Sequence, residues 1–242
     1  MNNTENYEIV VKNINKSFGK RQILNDINLS FSNKEIVGLL GPNGSGKTTL
    51  FYIIAGIIYG DSGSVLINKQ NVTQYPIYLR AKMGLGYLPQ DSSIFKKMTV
   101  AENILSVLEL SINNKKDRMF RLDELLEQFH ILHIKNSPAT ALSGGERRRV
   151  EIARCVANNP KFILLDEPFA GVDPLAISDL SKLIISLKQQ NIGILITDHS
   201  VDYTLAVVDK AHVMYNGSIV FSGNKDEVKN SDIVKKVYLG DH

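Results

Sequence analysis

The chain has 242 residues, 43% hydrophobic and 22% charged, a globular balance that excludes a disordered or collagen-like polymer. Lys and Arg outnumber Asp and Glu by 28 to 25, and the resulting +3 is too weak to announce a nucleic-acid partner. No apolar run reaches the roughly 18–20 residues that a spanning helix needs, and the polar start has no secretory leader. The expectation is a cytoplasmic chain that folds as one domain over residues 7–242. A single cysteine, Cys155, excludes an internal disulfide and reads as small core filler.

In chain order, short β-rich runs at 9–11, 23–31 and 36–40 are separated by polar turns and read as a small sheet feeding a buried strand. A further strand over 64–68 follows the turn 60–63. Beyond Gln90, residues 99–112 and 117–129 carry apolar positions at helical spacing, and Thr99 with Glu102 predicts a capping box. These helices read as an insertion over about 91–158 that returns through 143–158. A strand over 162–166, a helix over 174–190 and a strand over 193–197 then alternate as βαβ units do. The tail, about 225–238, reads as an amphipathic helix with Val228, Ile233, Val234 and Val237 on one side, packing on its own domain. No repeat or linker divides the chain.

Gly41-Pro42-Asn43-Gly44-Ser45-Gly46-Lys47-Thr48 follows a buried strand and, with Thr49, opens an apolar helical run, the context that a phosphate-binding P-loop requires. Glycines let backbone amides turn inward, and the helix aims its positive pole at the anion. Lys47 then neutralises the β- and γ-phosphates, and the Thr48 hydroxyl holds Mg²⁺. Phe162-Ile163-Leu164-Leu165-Asp166-Glu167-Pro168 is an apolar strand ending in two carboxylates. Asp166 is placed for the Mg²⁺ shell and Glu167 to polarise a water for attack on the γ-phosphate. The substrate implied is ATP with Mg²⁺.

Leu142-Ser143-Gly144-Gly145-Glu146 forms a second capping box, opening a helix whose free amides can grip an anion. Gln90, Asp173 and His199 taken singly read as loop polarity, a helix cap before Pro174 and a loop histidine. Ordered around the P-loop, these segments resemble the ABC-type ATPases. The resemblance implies an α/β fold: a P-loop NTPase core of ABC ATPase type with an antiparallel β subdomain and an inserted helical subdomain. It implies that Gln90 contacts Mg²⁺ or the attacking water, that Asp173 lies at a dimer interface and that His199 touches the γ-phosphate. It also implies that Ser143, Gly144, Gly145 and Glu146 close on the ATP held by a second copy of the chain.

Phe18 stands where that family usually stacks a tyrosine on adenine, and its ring keeps the stacking face. Lys34 replaces a common glycine, with Asn33 expected at the positive-φ turn position. Arg147, Arg148 and Arg149 occupy successive helical positions and so spread over different faces, which suits packing and surface pairing rather than nucleic acid.

The strings 87–90, 93–95, 142–154, 159–174 and 237–240 are similar to the ATP-binding subunits of lipopolysaccharide-export transporters, over about 9–241. That similarity implies a homodimer peripheral to the cytoplasmic face of the inner membrane, beneath integral membrane subunits, with lipopolysaccharide as cargo. Branched-chain amino-acid import ATPases and soluble ABC proteins of translation or DNA repair stay open as alternatives. Phe95, an apolar side chain beside Lys96 and Lys97, is the expected docking knob.

Overall fold

The computed structural model describes residues 6–239. A four-stranded antiparallel sheet has the order β2-β1-β4-β5, from β1 (Glu8–Phe18), β2 (Arg21–Ser32), β4 (Ser62–Ile67) and β5 (Gln70–Asn71). A six-stranded sheet has the order β10-β9-β3-β8-β7-β6. Its strands are β3 (Ile36–Leu40), β6 (Leu85–Leu88), β7 (Phe162–Asp166), β8 (Gly193–Thr197), β9 (Lys210–Tyr215) and β10 (Ser218–Asn224). All neighbours in it run parallel except the β9–β10 hairpin.

Alternation along the buried strands creates two cores. In β3, Ile36 and Leu40 join one apolar cluster while Val37 and Leu39 join the other, and β7 divides likewise into Ile163 and Leu165 against Phe162 and Leu164. One face carries α1 (Lys47–Ala55) and the antiparallel sheet. The other carries α3 (Val100–Leu108), α4 (Lys115–Gln128), α5 (Gly144–Val156), α6 (Pro174–Gln189) and α7 (Val201–Val207). Among the described residues no helix is long and apolar enough to cross a membrane.

The expected capping boxes form at Thr99–Glu102 and Ser143–Glu146. The helix expected over 99–112 stops at Leu108, and the chain turns through an exposed Leu110. The expected tail helix is broken at Ser231 into α8 (Lys225–Asn230) and α9 (Asp232–Leu239). Val228 and Val234 are buried, but Ile233 is 51% exposed, because the break rotates it off the apolar face. Gly240 and Asp241 lie outside the described residues. The turn before β3 also departs from expectation: Asn33 is not among the positive-φ residues. Its side chain is buried, where Oδ1 accepts from the Tyr7 amide at 3.0 Å while the Asn33 amide donates to the Tyr7 carbonyl at 3.1 Å. This reciprocal pair fastens the start of β1 and needs no left-handed residue.

Helix α2 (Ile77–Lys82) contributes Arg80, fully buried at 1% exposure and, among the described residues, without a carboxylate partner. Its guanidinium donates to the carbonyls of Ile53 and Ile54 at 2.7 Å each, Tyr75 at 2.8 Å and Thr73 at 3.1 Å. Two of these are carbonyls of the last turn of α1, Ile54 and Ile53, the latter also accepting the Gly56 amide at 3.3 Å, so Arg80 caps the helix that begins at Lys47. Arg80→Met takes the donor away from these buried carbonyls, of which Ile53 keeps the Gly56 amide, and is expected to cost about 3 kcal/mol or more. Urea unfolding measures it, and Arg80→Lys, which keeps a donor, is expected to lose less.

Candidate functional site

Strands β3, β8 and β7 are adjacent and parallel, so their C-terminal ends open at one place, the usual crevice for ligands in α/β sheets. β3 delivers the glycine loop, β7 delivers Asp166 and Glu167, and β8 delivers Thr197, Asp198 and His199. Gly41 has φ +146°, and a Cβ there would strike the Met214 carbonyl of β9, so no other residue fits this close approach. Gly46, also left-handed at φ +104°, begins α1 without a side-chain cap, leaving its first amides open to an anion.

A pocket of about 290 Å³ lies over this helix start. Among the expected residues, Asn43, Gly44, Gly46, Lys47, Thr48, Thr49, Glu167 and His199 wall it, joined by Arg21 and Ile23. Gly41, Pro42 and Ser45 are not in the wall, and Ser45 is buried behind it. The Lys47 ammonium donates to the carbonyls of Gly41 at 2.7 Å and Pro42 at 3.0 Å. Burial lowers its pKa, opposed by the nearby Glu167 and Asp166 carboxylates.

Glu167 is buried with a left-handed backbone, φ +49°, a conformation that costs a non-glycine residue about 1–2 kcal/mol. Its amide donates to the Thr197 carbonyl at 2.8 Å. One carboxylate oxygen accepts from Gln90 Nε2 at 2.8 Å, and the other lies 2.7 Å from His199 Nε2. The residues expected to form the hydrolytic centre thus meet on one carboxylate.

Beneath them, buried Arg148 of α5 donates to the carbonyls of Asp166 and Glu167 at 2.9 Å each, Pro89 at 3.1 Å and Pro168 at 3.2 Å. It also pairs with Glu151 at 3.0 Å, and Glu151 accepts from Ser92 Oγ at 2.6 Å and the Ser93 amide at 2.9 Å. Asp198 adds a brace, accepting from the amides of Phe169 at 3.1 Å and Ser200 at 3.0 Å. Sequence reasoning missed these braces. The available signal was the i,i+3 spacing of Arg148 and Glu151. The three arginines do face different ways: Arg147 reaches the Leu142 carbonyl and Arg149 pairs with Asp179. Cys155, expected as core filler, is half-buried at the margin of an apolar cluster, and desolvation pushes its thiol up to about 12.

The remaining expected residues stand apart from the pocket. Ser143 accepts from the Glu146 amide, while Glu146 accepts from the Ser143 amide at 2.9 Å and hydroxyl at 2.8 Å. A Cβ on Gly144 would come within 2.6 Å of the Gly171 carbonyl, so this segment packs against the loop ending at Asp173. Asp173 caps α6 by accepting from the Leu175 amide at 2.8 Å, next to a Leu175 side chain that is 87% exposed. Neither residues 142–146, Asp173 nor Phe18 wall the pocket, and Phe18 is 54% exposed with Lys16 5.4 Å from its ring.

The donor set suits a hard divalent cation. Asp166 Oδ1 and Thr197 Oγ1 are buried without a hydrogen-bond partner, and Thr48 lines the adjacent pocket. Burial, then the neighbouring Glu167 charge, raises the Asp166 carboxyl from its ordinary 3.8 to about 6.

The ABC transporter family model matches residues 24–170, more than half of the chain. The chain belongs to the ABC transporter family. As an ATP-binding cassette of that family it is an ATP hydrolase. Among its relatives, the lipopolysaccharide export system ATP-binding protein LptB of Haemophilus influenzae is 48% identical over 234 residues, covering 96% of this chain and 97% of that protein. LptB of Escherichia coli K12 is 46% identical with the same coverage. Among solved structures, the ADP conformation of MJ1267, an ATP-binding cassette of an ABC transporter, superposes with a TM-score of 0.86 at 30% identity, covering 97% of this chain and 99% of that one.

The raised Asp166 carboxyl has a stability consequence. Between about pH 4 and pH 6 the folded chain holds a proton that the unfolded chain releases, so stability contributed by this group falls as pH rises through about 6. Asp166→Asn is therefore expected to abolish turnover yet raise the melting temperature of the nucleotide-free protein at pH 8. The gain shrinks at pH 5, and thermal unfolding at the two pH values measures it.

Proposed function

We propose that the chain is the ATP-hydrolysing subunit of a transporter that extracts lipopolysaccharide from the inner membrane, acting as a homodimer on the cytoplasmic face beneath integral membrane subunits. The cargo rests on near full-length similarity to LptB from two organisms. The homodimer rests on one observation: the phosphate pocket is open, and the chain's other anion-gripping helix start, at Ser143, is not in its wall. One copy supplies the P-loop and its twin supplies residues 143–146, with Asp173 and the exposed Leu175 at the seam.

Within this scheme the loop amides and Lys47 bind the β- and γ-phosphates, and Phe18 offers its exposed face to adenine. Thr48, Asp166 and Gln90 would hold Mg²⁺, which neutralises phosphate charge when bound. Glu167 is the general base for water. Gln90 and His199 each engage one oxygen of its carboxylate, which takes up one acceptor site on each oxygen and makes the group a weaker base. A γ-phosphate that draws His199 and Gln90 outward removes these contacts and strengthens the base. Loss of the γ-phosphate contacts then reopens the dimer.

The membrane subunits dock in a groove of about 330 Å³ whose walls include Ile77, Ala81, Tyr87, Val107 and Arg154. Beside it Phe95 is 46% exposed, with the Arg154 guanidinium 4.5 Å from its ring centre.

Glu167→Gln keeps the shape and removes the base. It is expected to bind ATP, form a closed dimer by light scattering and lose most turnover; a monomer with saturating ATP counts against the scheme. Phe95→Ala is expected to weaken co-purification with the membrane subunits while ATPase activity of the isolated protein stays within about twofold, since no reacting group is touched. Equal loss of both would remove the docking role.

A further inference from the structure

Tyr87 lies on β6, the edge strand that leads directly into Gln90. It is paired with Leu164 of β7, so its side chain lies on the α1 face of the sheet, packed with the second apolar cluster. There the ring meets Tyr52 of α1 edge-on, with centroids 6.4 Å apart and planes at 89°. Its backbone is also held, the Cys155 thiol lying 3.5 Å from the Tyr87 carbonyl. A ring fixed by strand pairing and an aromatic neighbour has little freedom to choose where its hydroxyl points.

That hydroxyl donates to Asp166 Oδ2 at 3.4 Å. The contact is longer than the usual range of roughly 2.5–3.0 Å for an O–H···O bond and is correspondingly weak. The two oxygens of this carboxylate therefore differ: Oδ2 has a donor, and Oδ1 is buried with none. A donor on one oxygen of an aspartate biases the carboxylate toward orientations that leave the other oxygen open. Oriented carboxylates of this kind support metal binding, and losing the orienting group commonly costs metal affinity about 10–100-fold.

We infer that Tyr87 is a positioning residue for the cation that accompanies the nucleotide: by engaging Asp166 Oδ2, its hydroxyl turns Oδ1 toward the metal shell. The inference rests on the proposed role of Asp166 as a Mg²⁺ ligand. Tyr87 itself touches neither metal nor phosphate and takes no proton in the reaction.

The test is equilibrium binding of ADP by calorimetry to the full chain, with and without Mg²⁺, for wild type, Tyr87→Phe and Asp166→Asn. Tyr87→Phe removes one oxygen and leaves the ring packing, so circular dichroism melting checks that the fold persists. The expected result is unchanged ADP affinity in EDTA and a loss of about tenfold in the affinity gained on adding Mg²⁺. A Mg²⁺ gain equal to wild type overturns the inference, as does an equal loss with and without Mg²⁺, which marks a role in packing alone. Asp166→Asn separates the two levels. If it abolishes the Mg²⁺ gain while Tyr87→Phe does not, only the positioning role fails. If neither variant changes the gain, the assignment of Asp166 to the metal fails and takes the role of Tyr87 with it.

Discussion

The backbone of Glu167 turns left-handed at the end of a buried strand, and the neighbouring braces serve to hold it there. A non-glycine residue in that conformation persists only where its surroundings over-determine it. Here the Thr197 carbonyl takes its amide, and Arg148 takes its carbonyl together with that of Asp166. The strained turn sends the Asp166 and Glu167 side chains in different directions from consecutive positions. One carboxylate goes down to Tyr87, the other out to Gln90 and His199.

Arg148 also explains how distant segments share one site. It lies on the helix opened by Ser143, yet its fork reaches the carbonyls following β7 and the Pro89 carbonyl just before Gln90. Glu151, one turn along the same helix, ties Ser92 and Ser93 to that fork. The charge-assisted bonds are almost fully buried, so a shift of α5 moves both the loop carrying Gln90 and the turn carrying Glu167. Physical continuity of this kind is suited to coupling the proposed docking groove to the carboxylate proposed as the base.

Much of this was legible in the sequence because it depends on local chemistry. Strands 162–166 and 193–197 are continuous apolar runs with turn signals on both sides, and β7 and β8 occupy those same residues. The capping boxes at Thr99 and Ser143 need only residues three apart, and both form. The pocket-wall residues Asn43, Gly44 and Gly46 to Thr49 follow from the glycine spacing. What stayed hidden depends on tertiary context. The polar residues 12–18 give no strand pattern, yet β1 runs through them because β2 and β4 pair with it on both sides, across register shifts. Arg80 and Arg148 look like surface charge until the carbonyls that surround them are known. The β9–β10 hairpin was a readable omission: Asn216-Gly217, both with positive φ, is a strong short hairpin signal.

Arg80 bears on the phosphate end of α1 from the opposite end of that helix. Nine residues span about 13.5 Å, so the guanidinium and the phosphate cradle sit at the two poles of one short dipole. A cation seated on the carbonyl pole offsets the partial negative charge there and leaves the amide pole less compensated. An incoming triphosphate therefore meets a field more positive than the bare helix would give, supplied in part by a residue that never approaches it.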